Sequence, residues 1–209
     1  MAESSFANVE YVVRTIAQTA VDNEKYFGDL DAVVGDGDFG IDRADIGTFL
    51  KKVALTITGR IGGTSGPIWG TAFIRAGTTA GTRTEVTADD AVAMLRAAIE
   101  GIKARGQSDV GDKTLLDALV PATDRLEAEL RAGSEAQAAL DATAAAAREQ
   151  AEATRDMLAK RGRAAYTGER SIGTLDAGAI AVAVMAEQIA KGWSDRTTTE
   201  STNAPEEAQ

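Results

Sequence analysis

Three aspartates, Asp31, Asp36 and Asp38, lie within the segment Leu30-Asp31-Ala32-Val33-Val34-Gly35-Asp36-Gly37-Asp38-Phe39-Gly40. Gly35, Gly37 and Gly40 let the backbone turn tightly, so the carboxylates can converge. Converged carboxylates repel one another unless a cation sits between them, and an all-oxygen set suits a hard ion such as Mg2+. Mg2+ held by few carboxylates completes its shell with water and substrate phosphate. The spacing therefore points to a metal–phosphate site, and the competing reading is a solvated acidic turn.

Four further constellations have chemical potential. Gly62-Gly63-Thr64-Ser65-Gly66 precedes a helical pattern, where glycines allow close backbone approach to a phosphate and hydroxyls add donors. It lacks the Gly-Lys-Ser/Thr of a Walker A loop and no strand leads into it, so a flexible loop is the alternative. Lys160 to Gly173 gathers Arg161, Arg163, Arg170 and Tyr166 in an otherwise acidic chain. Guanidinium forks suit phosphate oxygens, but the same cations could pair with neighbouring carboxylates. Asp176-Ala177-Gly178 opens the last helical pattern and either binds a ligand or caps the helix. Lys113, in Asp112-Lys113-Thr114, either neutralises phosphate or pairs with aspartate. Trp69 and Trp193 read as packing residues.

Composition narrows the classes. The 209 residues suit one domain with a real core, and 44% apolar with only 5% aromatic content favours closely packed helices. A net charge of −10, from 32 acidic and 22 basic residues, argues against nucleic-acid or anionic-membrane partners. With no cysteine, disulfides, thiolate metal sites and cysteine nucleophiles are excluded. With no histidine, so are a phosphohistidine, a Ser-His pair and imidazole-bound zinc. No long apolar run or signal peptide is evident, and a cytoplasmic location is the expectation.

The elements that must position these residues read as helices. Amphipathic spacing predicts one from Phe6 to about Phe27 and another from Asp45 to Thr58. A third runs from Pro67 to about Ala80, with proline in its first turn. Thr87-Ala88-Asp89-Asp90 caps a fourth that ends before Gly106, and Thr114 to Arg131 forms a fifth with a kink at Pro121. Ser134 to Gln137 predicts a capping box for an alanine-rich helix reaching about Lys160. A polar loop, Arg161 to Gly178, leads to a buried helix from Ala179 to Lys191 that stops at Gly192. Residues 1–192 thus form a single domain, and 193–209 are expected to be a disordered polar tail. The total is seven or eight helices, as a bundle or a barrel.

Four blocks in order, LDAVVGDGDFG, GGTSGPIWGTAFIRAG, GDKTLLDALVPA and KRGRAAYTGERSIGTLDAGA, resemble the ADP-binding L subunit of dihydroxyacetone kinase, the DAK2 domain family. The resemblance extends from about residue 10 to residue 190 and implies an all-α, antiparallel eight-helix barrel with nucleotide at one end. It implies that Asp31, Asp36 and Asp38 hold two Mg2+ ions bridging to the phosphates of ADP or ATP. It places Thr64 and Ser65 on phosphate, Gly106 and Leu115 along the nucleotide, and Arg163 on phosphate. Asp176, Ala177 and Gly178 stand where the family has a nucleotide-contacting Asp-Pro-Gly. The implied activity is phosphoryl transfer to dihydroxyacetone or a related keto-sugar such as erythrulose, held through histidine on a separate K subunit. In one branch a phosphohistidine M subunit of the sugar phosphotransferase system recharges bound ADP; in another, ATP exchanges freely.

Two departures sit beside the expected site. Phe39 follows Gly35-Asp36-Gly37-Asp38 where the family has histidine, and only 21 residues separate Gly40 from Gly62, implying a shortened second helix. Thr174 replaces a second family histidine. These favour an alternative, a regulatory binding module derived from such a subunit. A stand-alone Mg2+ phosphohydrolase is a third reading, for which no base or nucleophile is evident.

Overall fold

A computed structural model of the chain describes residues 2–22 and 45–202. Among them are seven α-helices, two 3-10 segments and no strand. The helices are α1 (Ala2–Asp22), α2 (Ile46–Arg60), α3 (Ser65–Ala80), α4 (Ala88–Gly106), α5 (Leu116–Arg131), α6 (Ala136–Ala153) and α7 (Ala177–Thr202). The 3-10 segments, Thr154–Asp156 and Arg163–Ser171, lie between α6 and α7.

Local chemistry explains most starts. The Asp45 carboxylate caps α2, accepting from the Thr48 N–H at 2.6 Å and the Thr48 hydroxyl at 3.0 Å. Thr87 and Asp90 exchange hydrogen bonds in the expected capping box of α4. The close α2–α3 pairing depends on glycine: a Cβ on Gly77 would lie 2.8 Å from the Gly47 carbonyl oxygen, and one on Gly70 1.9 Å from Thr58 Oγ1. Helix α5 runs unbroken through Pro121.

Three boundaries differ from expectation. Helix α6 begins at Ala136 with no side-chain cap, because the Ser134 hydroxyl instead donates to Glu129 Oε2 at 2.5 Å. It stops at Ala153 rather than near Lys160. There the buried Thr154 hydroxyl donates to the Ala151 carbonyl at 2.6 Å and accepts the Asp176 N–H at 2.9 Å, tying the end of α6 to the start of α7. Helix α7 does not stop at Gly192 but continues to Thr202. Gly192 serves close approach: a Cβ there would lie 2.1 Å from the Tyr11 hydroxyl, which donates to the Ile189 carbonyl at 3.3 Å.

Each helix from α2 to α7 packs on its chain neighbours, and α1 packs on α7. Val13 of α1 is buried with Ile46, Phe49, Leu50 and Val53 of α2, so α1 also closes the ring on its other side. A second apolar cluster joins α3, α4 and α5 through Ala72, Ile99, Ile102 and Leu116. A third joins α5, α6 and α7 through Ala118, Ala122, Ala147, Ala151, Ala179 and Ile180. Alanine at these contacts lets helices approach closely, as the low aromatic content requires. Short connections make successive helices from α2 to α6 antiparallel, and the Thr154–Asp176 bond brings the two ends of the longer 154–176 connection together. The connections 61–64, 107–115 and 154–176 therefore fall at one end of the ring.

Candidate functional site

That end carries the positions singled out by the sequence. Thr64 stands at the N-terminus of α3 and makes no capping hydrogen bond with its side chain. Thr64 and Ser65 are exposed, and Gly63 turns the chain into the helix with φ 67°. An uncapped helix start presents unpaired N–H groups and the positive end of the helix dipole, which together favour an anion. Gly66 must be glycine, since a Cβ would lie 2.2 Å from the Ile61 carbonyl oxygen.

The neighbouring helix ends are in contact. Gly106 closes α4 against α3, where a Cβ would come within 3.3 Å of Ile68 Cδ1. Gly178, in the first turn of α7, faces α5: a Cβ would meet Leu115 Cβ at 3.1 Å and Leu115 N at 3.3 Å. Trp69 of α3, Leu115 and Leu175 pack on the same apolar cluster beneath this end.

The 107–115 and 154–176 connections are stapled together by polar groups. Buried Lys113 donates from Nζ to the carbonyls of Met157 at 3.2 Å, Thr174 at 2.8 Å and Ser171. An ammonium has three N–H donors, and these carbonyls, with the Thr174 hydroxyl oxygen at 3.5 Å, use them all. Burial pushes its pKa down, against the pull of Asp176 and Asp156. Both described non-glycine residues with positive φ, Gln107 at 48° and Lys113 at 60°, lie in this connection. Asp112 reaches across to the Arg161 guanidinium at 3.1 Å, and its carbonyl accepts the Lys160 N–H at 3.1 Å. Buried Asp117 accepts the Gly111 N–H at 2.5 Å and the Thr114 N–H at 2.7 Å, shaping the entry to α5.

Asp176 caps α7, its Oδ2 accepting the Ala179 N–H at 2.8 Å. Burial lifts its pKa to about 6; the Ala179 N–H opposes this and nearby Asp117 adds to it. Among the described carboxylates at this end, Asp176 is the one that burial pushes up, to about 6.

The structure brings Thr64, Ser65, Gly106, Leu115, Asp176, Ala177 and Gly178 to one end of the ring. Arg163 opens the second 3-10 segment there, after Gly162 at φ 64°; its side chain is not among those described. Asp31, Asp36, Asp38 and Phe39 lie outside the described residues, and among the described residues no group of three acidic side chains converges. Lys113 is committed to carbonyls rather than to phosphate or to Asp112. The sequence reading missed its clamp and the cap by Asp117; the Thr114-x-x-Asp117 spacing of a helix start was the available signal. Thr174 is absorbed into the clamp, its hydroxyl donating to the Ser171 carbonyl at 2.7 Å.

The profile of the DAK2 domain matches residues 38–191 of the chain. The chain belongs to the DAK2 domain family. Among DAK2 relatives, the ADP-binding subunit DhaL of the PEP-dependent dihydroxyacetone kinase of Escherichia coli is 35% identical over 182 residues, spanning 79% of this chain and 87% of its own. The L-erythrulose 1-kinase of Mycolicibacterium smegmatis is 36% identical over 85% of this chain, which spans only 34% of that enzyme. The crystal structure of the dihydroxyacetone kinase of C. freundii has a TM-score of 0.64 at 26% identity, covering 89% of this chain and 34% of that one. A second crystal structure of that kinase, in complex with AMP-PNP and Mg2+, has a TM-score of 0.60. This DAK2 chain therefore shares its all-helical architecture with about a third of the chain of a kinase whose solved structures include a nucleotide complex. No helix among its described residues is long and apolar enough to cross a membrane.

Proposed function

We propose that this chain is the nucleotide-holding subunit of a keto-sugar kinase: it binds Mg2+ with ADP or ATP and presents the γ-phosphoryl group to dihydroxyacetone or a related short keto-sugar on a separate K subunit. The observation that carries the reading is the uncapped N-terminus of α3, with Thr64 and Ser65 exposed on it, on a helix whose Trp69 packs on the same apolar cluster as Ala179 and Ile180 of α7. That donor set fits a phosphate tail. Asp31, Asp36 and Asp38 would hold the metal, two ions by the family resemblance, and the metal would neutralise phosphate charge when bound. The α3 N–H groups and the Thr64 and Ser65 hydroxyls bind phosphate oxygens, while Arg163 adds a guanidinium. Gly106 and Leu115 line the nucleotide, and the Asp176-Ala177-Gly178 backbone contacts it.

In the transfer, the acceptor hydroxyl oxygen forms the new P–O bond while the bond to the β-phosphate oxygen breaks and its electron pair stays with ADP. The hydroxyl proton goes to a base on the partner, and this chain supplies no histidine for that role. Its own contribution is positional and electrostatic. An M subunit of the sugar phosphotransferase system is the second proposed partner, recharging ADP in place.

Calorimetry tests the reading. The purified chain should bind ADP in the presence of Mg2+, and Asp36→Ala should abolish that binding. Unchanged affinity in Asp36→Ala refutes the metal assignment. A wild-type chain that binds no Mg-ADP would favour the regulatory module, the reading to which Phe39 and Thr174 in place of family histidines point.

A further inference from the structure

Buried lysines are uncommon because taking an ammonium out of water is costly, and they persist where its donors are fully used. Lys113 meets that condition without any carboxylate contact. Its partners are the carbonyls of Met157, Ser171 and Thr174, spread over the segment that carries Arg163 and leads to Asp176. That segment has little apolar anchorage of its own. Leu158, Tyr166 and Ile172 are exposed, Tyr166 at 90%, and a long part of it is 3-10 turn interrupted at Gly168. Within the segment, Ser171 Oγ accepts the Ala159 N–H at 3.0 Å and the Gly173 N–H donates to the Arg155 carbonyl at 2.8 Å; its other polar links to the 107–115 connection include Arg161 and the Lys160 N–H on Asp112. Lys113 also holds a left-handed backbone at φ 60°, a conformation that costs a non-glycine residue on the order of 1 kcal/mol and survives only where surroundings over-determine it.

We infer that Lys113 is a positioning residue: its ammonium gathers the 157, 171 and 174 carbonyls and so sets the register of the segment that brings Arg163 and the start of α7 to the nucleotide. The inference rests on the nucleotide-binding reading above. Lys113 itself touches no phosphate, since its three donors are already occupied. A lost ammonium leaves three carbonyls without their common donor, and the segment relaxes away from the α3 N-terminus. Outer-shell partners that orient metal ligands cost about 10- to 100-fold in affinity when removed, and an effect of that order is expected for Lys113.

The absence of native cysteine makes a clean test possible. Lys113→Cys is the only thiol in the chain. Alkylated in denaturant and refolded, it gives two side chains of similar length: S-aminoethyl, which restores an ammonium, and S-propyl, which does not. Mg-ADP affinity is read by calorimetry and amide exchange of residues 157–174 by mass spectrometry, both well below the melting temperature of each form. The expected result is S-propyl binding at least roughly tenfold weaker with faster exchange across 157–174, and S-aminoethyl within about twofold of wild type in both. Equal affinity of the two alkylated forms overturns the inference, even if the S-propyl form melts earlier, because stability alone does not change affinity in the folded state. Lys113→Gln, which keeps one amide donor, covers the case in which the S-propyl form does not refold; wild-type affinity in Lys113→Gln also overturns it. A wild-type chain that binds no Mg-ADP refutes the nucleotide reading itself, and is distinguishable because the comparison between alkylated forms then shows only an exchange difference.

Discussion

Asp176→Asn should stabilise the protein at neutral pH and lose that advantage in acid. Asparagine keeps an oxygen for the Ala179 N–H, now held at 2.8 Å, but removes the buried charge. The Asp176 carboxyl is raised from 3.8 to about 6, chiefly by burial. Between those values the folded protein binds more protons at this position than the unfolded chain. Stability contributed by Asp176 is therefore highest below about pH 4 and falls as pH rises toward 6 and beyond. At about 1.36 kcal/mol per pH unit, the rise to about 6 corresponds to a penalty of order 3 kcal/mol at neutral pH. In a chain of this size that is roughly 6–12 °C in melting temperature. The assay is urea unfolding of wild type and Asp176→Asn, followed by circular dichroism, from about pH 4 to about pH 8. Other carboxylates, such as Glu127 beside Arg96, have lowered pKa values and contribute slopes of the opposite sign, but these cancel in the difference between the two proteins. The difference should grow with pH by about 3 kcal/mol and level off above about pH 7. A difference independent of pH would mean that Asp176 titrates normally, and the burial account of this corner of the site would be wrong.

Other perturbations test the supporting geometry. Asp36→Ala should abolish Mg-ADP binding, and replacing Lys113 by a neutral side chain should weaken it at least roughly tenfold, both by calorimetry. Gly66→Ala places a methyl 2.2 Å from the Ile61 carbonyl oxygen, which helix backbone cannot accommodate without moving the 61–64 connection. The expected cost is about 1–3 kcal/mol in urea unfolding, with weaker Mg-ADP binding; unchanged values for both would contradict the packing described at α3. Thr87→Ala removes a cap far from the site and should lower stability by about 1 kcal/mol while leaving Mg-ADP affinity at its wild-type value.

Helix existence was legible because it depends on local periodicity and capping. Asp45 and the Thr87–Asp90 box stand where the sequence puts them. Boundaries decided by distant partners were not. Ser134 has the spacing of a cap, but its hydroxyl is claimed by Glu129 of the preceding helix. Thr154 ends α6 through a bond to residue 176, and Gly192 reads as a stop although it is a seat for Tyr11. At the site, the short glycine-rich loop before α3 and the Asp176 cap could be read from residue type. The Lys113 clamp could not, since its three acceptors are backbone carbonyls 44 to 61 residues away and carry no residue signature.

The seam between α1 and α7 bears on how the molecule assembles. Helices α2 to α7 can each dock on the helix just made, in the order of synthesis. The Tyr11 hydroxyl, by contrast, meets a carbonyl 178 positions along the chain. Joining ends so far apart carries a loop-closure cost of roughly 4–5 kcal/mol, which can be offset only once both faces of α1 have somewhere to settle. Closure should therefore be a late event, following the formation of α7. Until then the face of α1 that meets α7 stays exposed, a hazard for aggregation or for exchange of α1 between two half-finished molecules.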